Sequence, residues 1–132
     1  MEKHSCDLTN KILIVDDDKS VRDFLGRFLS MKGYEHVQSV ETGQQAVETV
    51  KKDNFKLVLL DIKLPDMDGI DVLRKIKQLS NNTAVIMMTG FPEEEKAKQM
   101  IQEGAYDYII KPFDLDYLEL SVFTKITLMT QS

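Results

Sequence analysis

Leu57-Val58-Leu59-Leu60-Asp61 decides the fold when set beside Ile12-Leu13-Ile14-Val15-Asp16-Asp17-Asp18. Both are short apolar runs that empty directly into carboxylates. In a parallel sheet the C-terminal ends of neighbouring strands lie side by side, so two strands that end in acid bring like charges into one crevice. Carboxylates crowded in this way need a cation, and a small, hard, oxygen-seeking ion suits them. Magnesium is such an ion: it takes one or two protein carboxylates and keeps positions for water and phosphate oxygens.

Two further strand ends supply what a phosphoryl group requires. The run Ala84-Val85-Ile86-Met87-Met88 stops at Thr89-Gly90, which offers a hydroxyl and a turn where backbone can approach a ligand closely. Tyr106-Asp107-Tyr108-Ile109-Ile110 stops at Lys111-Pro112, and its compact ammonium acts as a point charge on phosphate. Acid, acid, hydroxyl and ammonium therefore stand at four strand ends.

Between these runs the chain alternates with helix-period segments, the pattern of βα units and a parallel sheet. The first helix is expected over Lys19 to Met31, with Val21, Phe24, Leu25, Phe28 and Leu29 on one face and Gly33 as a left-handed end. A thinner strand covers about His36 to Val40, and Thr42-Gly43-Gln44-Gln45 forms a capping box for a helix through Lys52. After Asp61 comes a loop to Gly69, then a helix with Ile70, Leu73 and Ile76 facing inward. The fourth helix is expected to begin at Pro92, with Glu93, Glu94 and Glu95 in its first turn, and to stop at Gly104. The fifth is expected from Asp114 to Thr130. Its core stripe is Leu115, Leu118, Val122, Ile126 and Met129, and Leu120, Phe123 and Leu128 remain as surplus apolar surface. Right-handed crossovers put such helices on both faces of the sheet, a doubly wound α/β arrangement. Residues 1–10 are mostly polar and read as a disordered leader to one domain over 11–130.

At 132 residues and 42% hydrophobic content there is room for one core and no second domain. A net charge of −5 opposes direct nucleic-acid binding, which draws on basic patches. Cys6 is the single cysteine, so no internal disulfide forms and a reducing compartment is compatible. The apolar runs are too short for a membrane span, and the default location is cytoplasmic.

With these residues in place, the chain from about Lys11 to Thr130 resembles the receiver domain of two-component response regulators. The likeness rests on Ile12 to Asp18, Leu59 to Gly69, Met88-Thr89-Gly90 and Gly104 to Phe113, each in the expected order at its strand end. The resemblance implies a flavodoxin-like (βα)5 fold with strand order 2-1-3-4-5. It implies phosphoryl transfer from a sensor histidine kinase or phosphotransfer protein onto Asp61. Asp17 and Asp61 would ligate magnesium directly, Asp16 mostly through water, and Lys63 through its backbone carbonyl. Lys111 would bind a phosphoryl oxygen and pair with Asp61 when the site is empty. Thr89 would hydrogen-bond the phosphoryl group, and Tyr108 would swing inward behind it. A cis Lys111-Pro112 bond is implied as well. Output, to a partner or a second copy, would pass through the fourth helix, fifth strand and fifth helix.

Blander readings stand beside these. Asp18 is most simply a helix N-cap, Asp16 and Asp17 could be turn formers, and Asp66 and Asp68 would shape the loop before Gly69. Thr89 could be an ordinary strand end, Tyr108 a half-buried strand aromatic, and His4 and His36 surface residues. A rival function is a magnesium-dependent phosphatase, since Asp16-Asp17-Asp18-Lys19-Ser20 fits the haloacid-dehalogenase pattern with Asp16 as nucleophile and Asp18 as acid/base. That reading leaves Asp61 unexplained. A flavodoxin-like mononucleotide carrier is opposed by charge, because its phosphate would lie beside three acids. A receiver reduced to a constitutive interaction module would not need the complete set of residues.

Overall fold

The computed structural model describes residues 10–91 and 93–131, with side chains described as far as Ile126. Five strands, β1 (Ile12–Val15), β2 (Val37–Val40), β3 (Leu57–Asp61), β4 (Ala84–Thr89) and β5 (Asp107–Ile110), alternate with five helices. The helices are α1 (Lys19–Met31), α2 (Gly43–Lys52), α3 (Gly69–Leu79), α4 (Glu94–Gln102) and α5 (Leu115–Gln131). All strand pairs are parallel, in the order β2-β1-β3-β4-β5.

The central strands are apolar on both faces because both faces are covered. Leu13, Val15, Val58, Leu60, Val85 and Met87 meet Ala46 and Val50 of α2, Val72, Leu73 and Ile76 of α3 and Met100 of α4. Ile12, Ile14, Leu57, Leu59, Ile86 and Met88 meet Leu25 and Leu29 of α1 and Leu118, Val122 and Ile126 of α5. The expected capping box is present: Thr42 accepts from the Gln45 amide, and Gln45 reaches back to the cap backbone. Gly33 and Gly104 adopt φ of 96° and 108°, so both stop their helices in the left-handed region.

Several expectations shift. The fourth helix opens at Glu94, because Glu93 is extended (φ −127°, ψ 135°) and makes no side-chain cap bond; Pro92 lies outside the described residues. Leu115 is 47% exposed and leaves the expected core stripe, since it opens α5 one turn ahead of Leu118, the first residue to meet the sheet. Phe123 is 60% exposed, but it borders a small cavity with Phe28, Leu29, Lys32 and Tyr34. Its apolar surface thus belongs to the α1 side and not to the face shared with α4. The side chains of Leu128 and Met129 lie outside the described residues, as do residues 1–9, including His4 and Cys6. No helix among the described residues is long and apolar enough to cross a membrane.

Candidate functional site

Register sets the site. Val15 pairs with Leu60, so Asp16 emerges from β1 level with Asp61 at the end of β3. Asp61 pairs with Met88, which places Thr89 one residue further along β4, and Thr89 pairs with Ile110, which places Lys111 just beyond β5. The Lys111 amide donates to the Thr89 carbonyl at 2.8 Å, extending the ladder past the last strand residue. Lys111-Pro112 is cis.

The three acids of the β1 turn are held differently. Asp18 is the N-cap of α1: one carboxylate oxygen accepts from the Ser20 amide at 2.9 Å and the Ser20 hydroxyl at 2.7 Å, holding the exposed Asp18 carboxyl below its ordinary value. Asp16 is wholly buried, and both of its oxygens are engaged. Oδ1 accepts from the Asp18 amide at 2.9 Å and Oδ2 accepts from the Lys111 ammonium at 2.7 Å. Asp17 is exposed. Carboxylate oxygens of Asp16, Asp17 and Asp61 nevertheless lie within 4.8 Å of one another.

Asp61 is the group under electrostatic stress. Burial pushes its carboxyl above the ordinary value, and the negative charge of Asp16 adds to this, against the opposing pull of Lys111. Lys111 stands 3.5 Å from Asp61 Oδ1, against 2.7 Å for Asp16. The expected pairing of Lys111 with Asp61 is present at 3.5 Å, but Asp16, which the sequence reading did not pair with Lys111, takes the shorter contact. The reason is solvation, because Asp16 has no contact with water and needs the counter-charge more, whereas Asp61 retains an opening to the cleft. Burial alone would lower the Lys111 pKa. The Asp16 hydrogen bond and the charges of Asp61 and Asp16 outweigh it and hold the ammonium above its usual value.

These groups open onto a cleft of about 640 Å³ lined by Asp17, Asp61, Lys63, Thr89, Phe91 and Lys111, among others. Thr89 is 2% exposed, and its hydroxyl accepts from the Phe91 amide at 3.1 Å. At the mouth, the Lys63 ammonium sits 4.9 Å from the centre of the Phe91 ring. Tyr108 is outside the lining; it is half-buried against the cluster covered by α2, α3 and α4. Three carboxylates faced by one ammonium leave an excess of negative charge among hard oxygen donors, a set that fits a divalent cation of the magnesium type.

Two residues near the site, Arg22 and Phe91, escape the sequence reading, and a third, Asp66, expected only to shape its loop, reaches a second element. Arg22 donates to the Asp16 carbonyl at 2.8 Å and stands 3.8 Å from Glu41. Its position one turn into α1 was the only available signal. Phe91, two residues past Thr89, faces the cleft from a turn with no periodicity to read. Asp66 accepts from the Gly43 and Gln44 amides at 2.9 Å each, a contact across more than twenty residues that no local pattern encodes.

Comparison with known proteins agrees with this arrangement. The model of the response regulator receiver domain matches residues 12–123, and the chain belongs to that family. It is a phosphoacceptor switch of phosphorelay signalling rather than an enzyme in the ordinary sense. The chain is 38% identical over 115 residues to sporulation initiation phosphotransferase F of Bacillus subtilis, covering 87% of this chain and 92% of that protein. Against the regulatory protein AtoC of Escherichia coli it is 41% identical over 113 residues, but it spans only 24% of AtoC. Among solved structures, the CheX-CheY-BeF3-Mg complex of Borrelia burgdorferi matches with a TM-score of 0.83 and 31% identity, covering 87% of each chain.

Proposed function

We propose that Asp61 is the phosphoacceptor of this domain, with a histidine kinase or phosphotransfer protein as donor. One observation carries the reading: Asp61 is the buried carboxylate that opens to the cleft, and it stands 3.5 Å from the Lys111 ammonium and inside the acidic group of Asp16 and Asp17. An Asp61 oxygen attacks phosphorus, and the bond to the donor imidazole nitrogen breaks with its electron pair left on that nitrogen. The product is an aspartyl acyl phosphate. Lys111 stabilises the transferred oxygens as a point charge, and the Thr89 hydroxyl donates to one of them.

Asp17 and Asp61 would ligate magnesium directly, Asp16 mostly through water and Lys63 through its backbone carbonyl. Bound magnesium supplies further neutralisation of the phosphoryl oxygens. The Borrelia relative carries magnesium and beryllofluoride together, in keeping with this assignment. The same groups would assist loss of the phosphoryl group to water. Tyr108, half-buried beside β4, is the switch aromatic in this reading, and the domain spans about 11–130 and works in the cytoplasm.

The phosphatase alternative fares worse on geometry. Asp16 has no exposure and both oxygens engaged, which leaves no free nucleophile. Asp18 is committed to capping α1, and its lowered pKa makes it a poor proton donor.

Incubation with acetyl phosphate and magnesium, followed by intact mass spectrometry and peptide mapping, tests the proposal. One phosphoryl group on Asp61 is expected, abolished by Asp61→Asn. A phosphoryl group on Asp16 would overturn it in favour of the phosphatase.

A further inference from the structure

The loop between β3 and α3 carries Lys63 at its start and Asp68 at its end, and it is closed on itself. Lys63 and Asp68 form an antiparallel bridge, and the Gly69 amide donates to the Ile62 carbonyl at 2.8 Å. A Cβ at Gly69 would meet the Asp61 carbonyl oxygen at 2.5 Å, so the base of the loop is pressed onto the acceptor residue's own backbone. Motion of the loop is therefore passed to Asp61 and Lys63.

At its tip the loop is tied to a different element. The two carboxylate oxygens of Asp66 accept one amide each, from Gly43 and Gln44, the first two residues of α2. These amides have no partner within the helix, and they hold the Asp66 carboxyl below its ordinary value. The contact needs close approach. A Cβ at Gly43 would meet Val72 of α3 at 2.8 Å and the loop's Met67 sulfur at 2.9 Å, so the start of α2 is packed closely against both and a side chain there would force them to shift. The turn before α2 also reaches the other acid loop, through Glu41 beside Arg22, which holds the Asp16 carbonyl.

We propose that Asp66 is a positioning residue: by clasping the loop to the first turn of α2 it fixes the placement of Asp61 and the Lys63 carbonyl around the bound ion. This rests on the reading that Asp61 and Lys63 are magnesium ligands. Asp66 touches neither ion nor phosphoryl group in this role. The turn at residues 41–44 holds no reactive group, yet it becomes a common anchor for both acid-bearing loops.

Titration calorimetry with magnesium alone, on wild type, Asp66→Ala and Asp66→Asn, tests the clasp without any phosphodonor. Loss of the tie in Asp66→Ala is expected to weaken magnesium binding roughly fivefold, somewhat less than the effect of partners bonded directly to a ligand. Asp66→Asn keeps an acceptor oxygen and is expected to fall between the two. Amide exchange at Gly43, Gln44 and Lys63 should quicken together in Asp66→Ala. A helix cap with no positioning role would lower the melting temperature and quicken exchange at Gly43 and Gln44 only, with magnesium affinity equal to wild type; that result overturns the clasp. Labelling of the wild type with acetyl phosphate is measured separately. If magnesium binds and Asp66→Ala weakens it while no phosphoryl group appears on Asp61, the acceptor assignment falls and the clasp stands.

Discussion

Lys111 divides its charge unequally between two acids, and the division gives each a different task. Asp16 takes the short contact and becomes a buried, neutralised post, whereas Asp61 is left under-compensated. Removing the ammonium leaves a buried carboxylate alone, so Lys111→Ala is expected to lower the unfolding free energy by about 3 kcal/mol at pH 7. Urea denaturation measures it, and a loss below about 1 kcal/mol would mark an ordinary surface pair. Asp61 should behave oppositely. Its folded-state pKa is raised, so its contribution to stability is present below the unfolded value and is lost as pH rises through the folded one. At neutral pH the charged group therefore costs stability, and Asp61→Asn, neutral throughout, should melt about 4 °C higher for each kcal/mol of repulsion removed. Calorimetric melting with chelator present checks this, and an unchanged or lower midpoint would contradict the assigned stress. At this scale the groups that gather at the strand ends were legible, because acid, hydroxyl and ammonium each terminate an apolar run. Which acid Lys111 prefers was not, since that depends on the relative burial of two residues far apart in sequence.

Among the elements, α5 is held to β5 by a polar clasp that no periodicity announces. Asp107 accepts from the Tyr117 hydroxyl at 2.6 Å and from the Ser121 hydroxyl at 2.8 Å, and Lys125 lies 4.5 Å from the centre of the Tyr106 ring. The hydrogen bond to Asp107, with burial and the Asp107 charge, pushes the Tyr117 phenol up to about 12. Stability contributed by this group is intact below the unfolded value of about 10 and is lost as pH rises from there to about 12. Ultraviolet titration should show two late-ionising tyrosines, Tyr34, pushed up by burial and the Glu119 charge, and Tyr117, of which only Tyr117 returns toward about 10 in Asp107→Asn. An unchanged pair of late phases in that variant would mean another group holds the Tyr117 proton. The helix stripe Leu118, Val122, Ile126 was readable from spacing, but the two flanks of α5 were not. Tyr117, Ser121 and Lys125 turn toward β5, and Phe123 turns toward α1, a distinction set by the neighbours each flank meets.

Taken as a molecule, the domain has its acid-lined cleft at the carboxyl ends of the strands and exposed apolar side chains at Ile101, Tyr106, Ile110 and Tyr117 along α4, β5 and α5. The link between the two is Thr89, bonded through its carbonyl to Lys111 and through its hydroxyl to Phe91. Drawing that hydroxyl toward a phosphoryl group breaks its bond to Phe91, so beryllofluoride with magnesium should change amide exchange between residues 90 and 126. Unchanged exchange across that span with the mimic bound would mean the signal leaves by another face. Helix placement was legible because β1, β3 and β4 are apolar almost throughout and crossovers have one hand, and sheet order followed from the family resemblance; contacts such as Asp66 with α2 were not legible, being products of packing between remote segments. The same uniformity has a consequence for how the gene tolerates insertions. Strands that alternate apolar and polar residues are locked in register by their pattern, but β1, β3 and β4 would fill both faces with apolar side chains after a one-residue slip. One valine added within β3 should thus yield a folded, cooperative protein whose Asp61 no longer meets Asp16, a chain that keeps its architecture and loses its message.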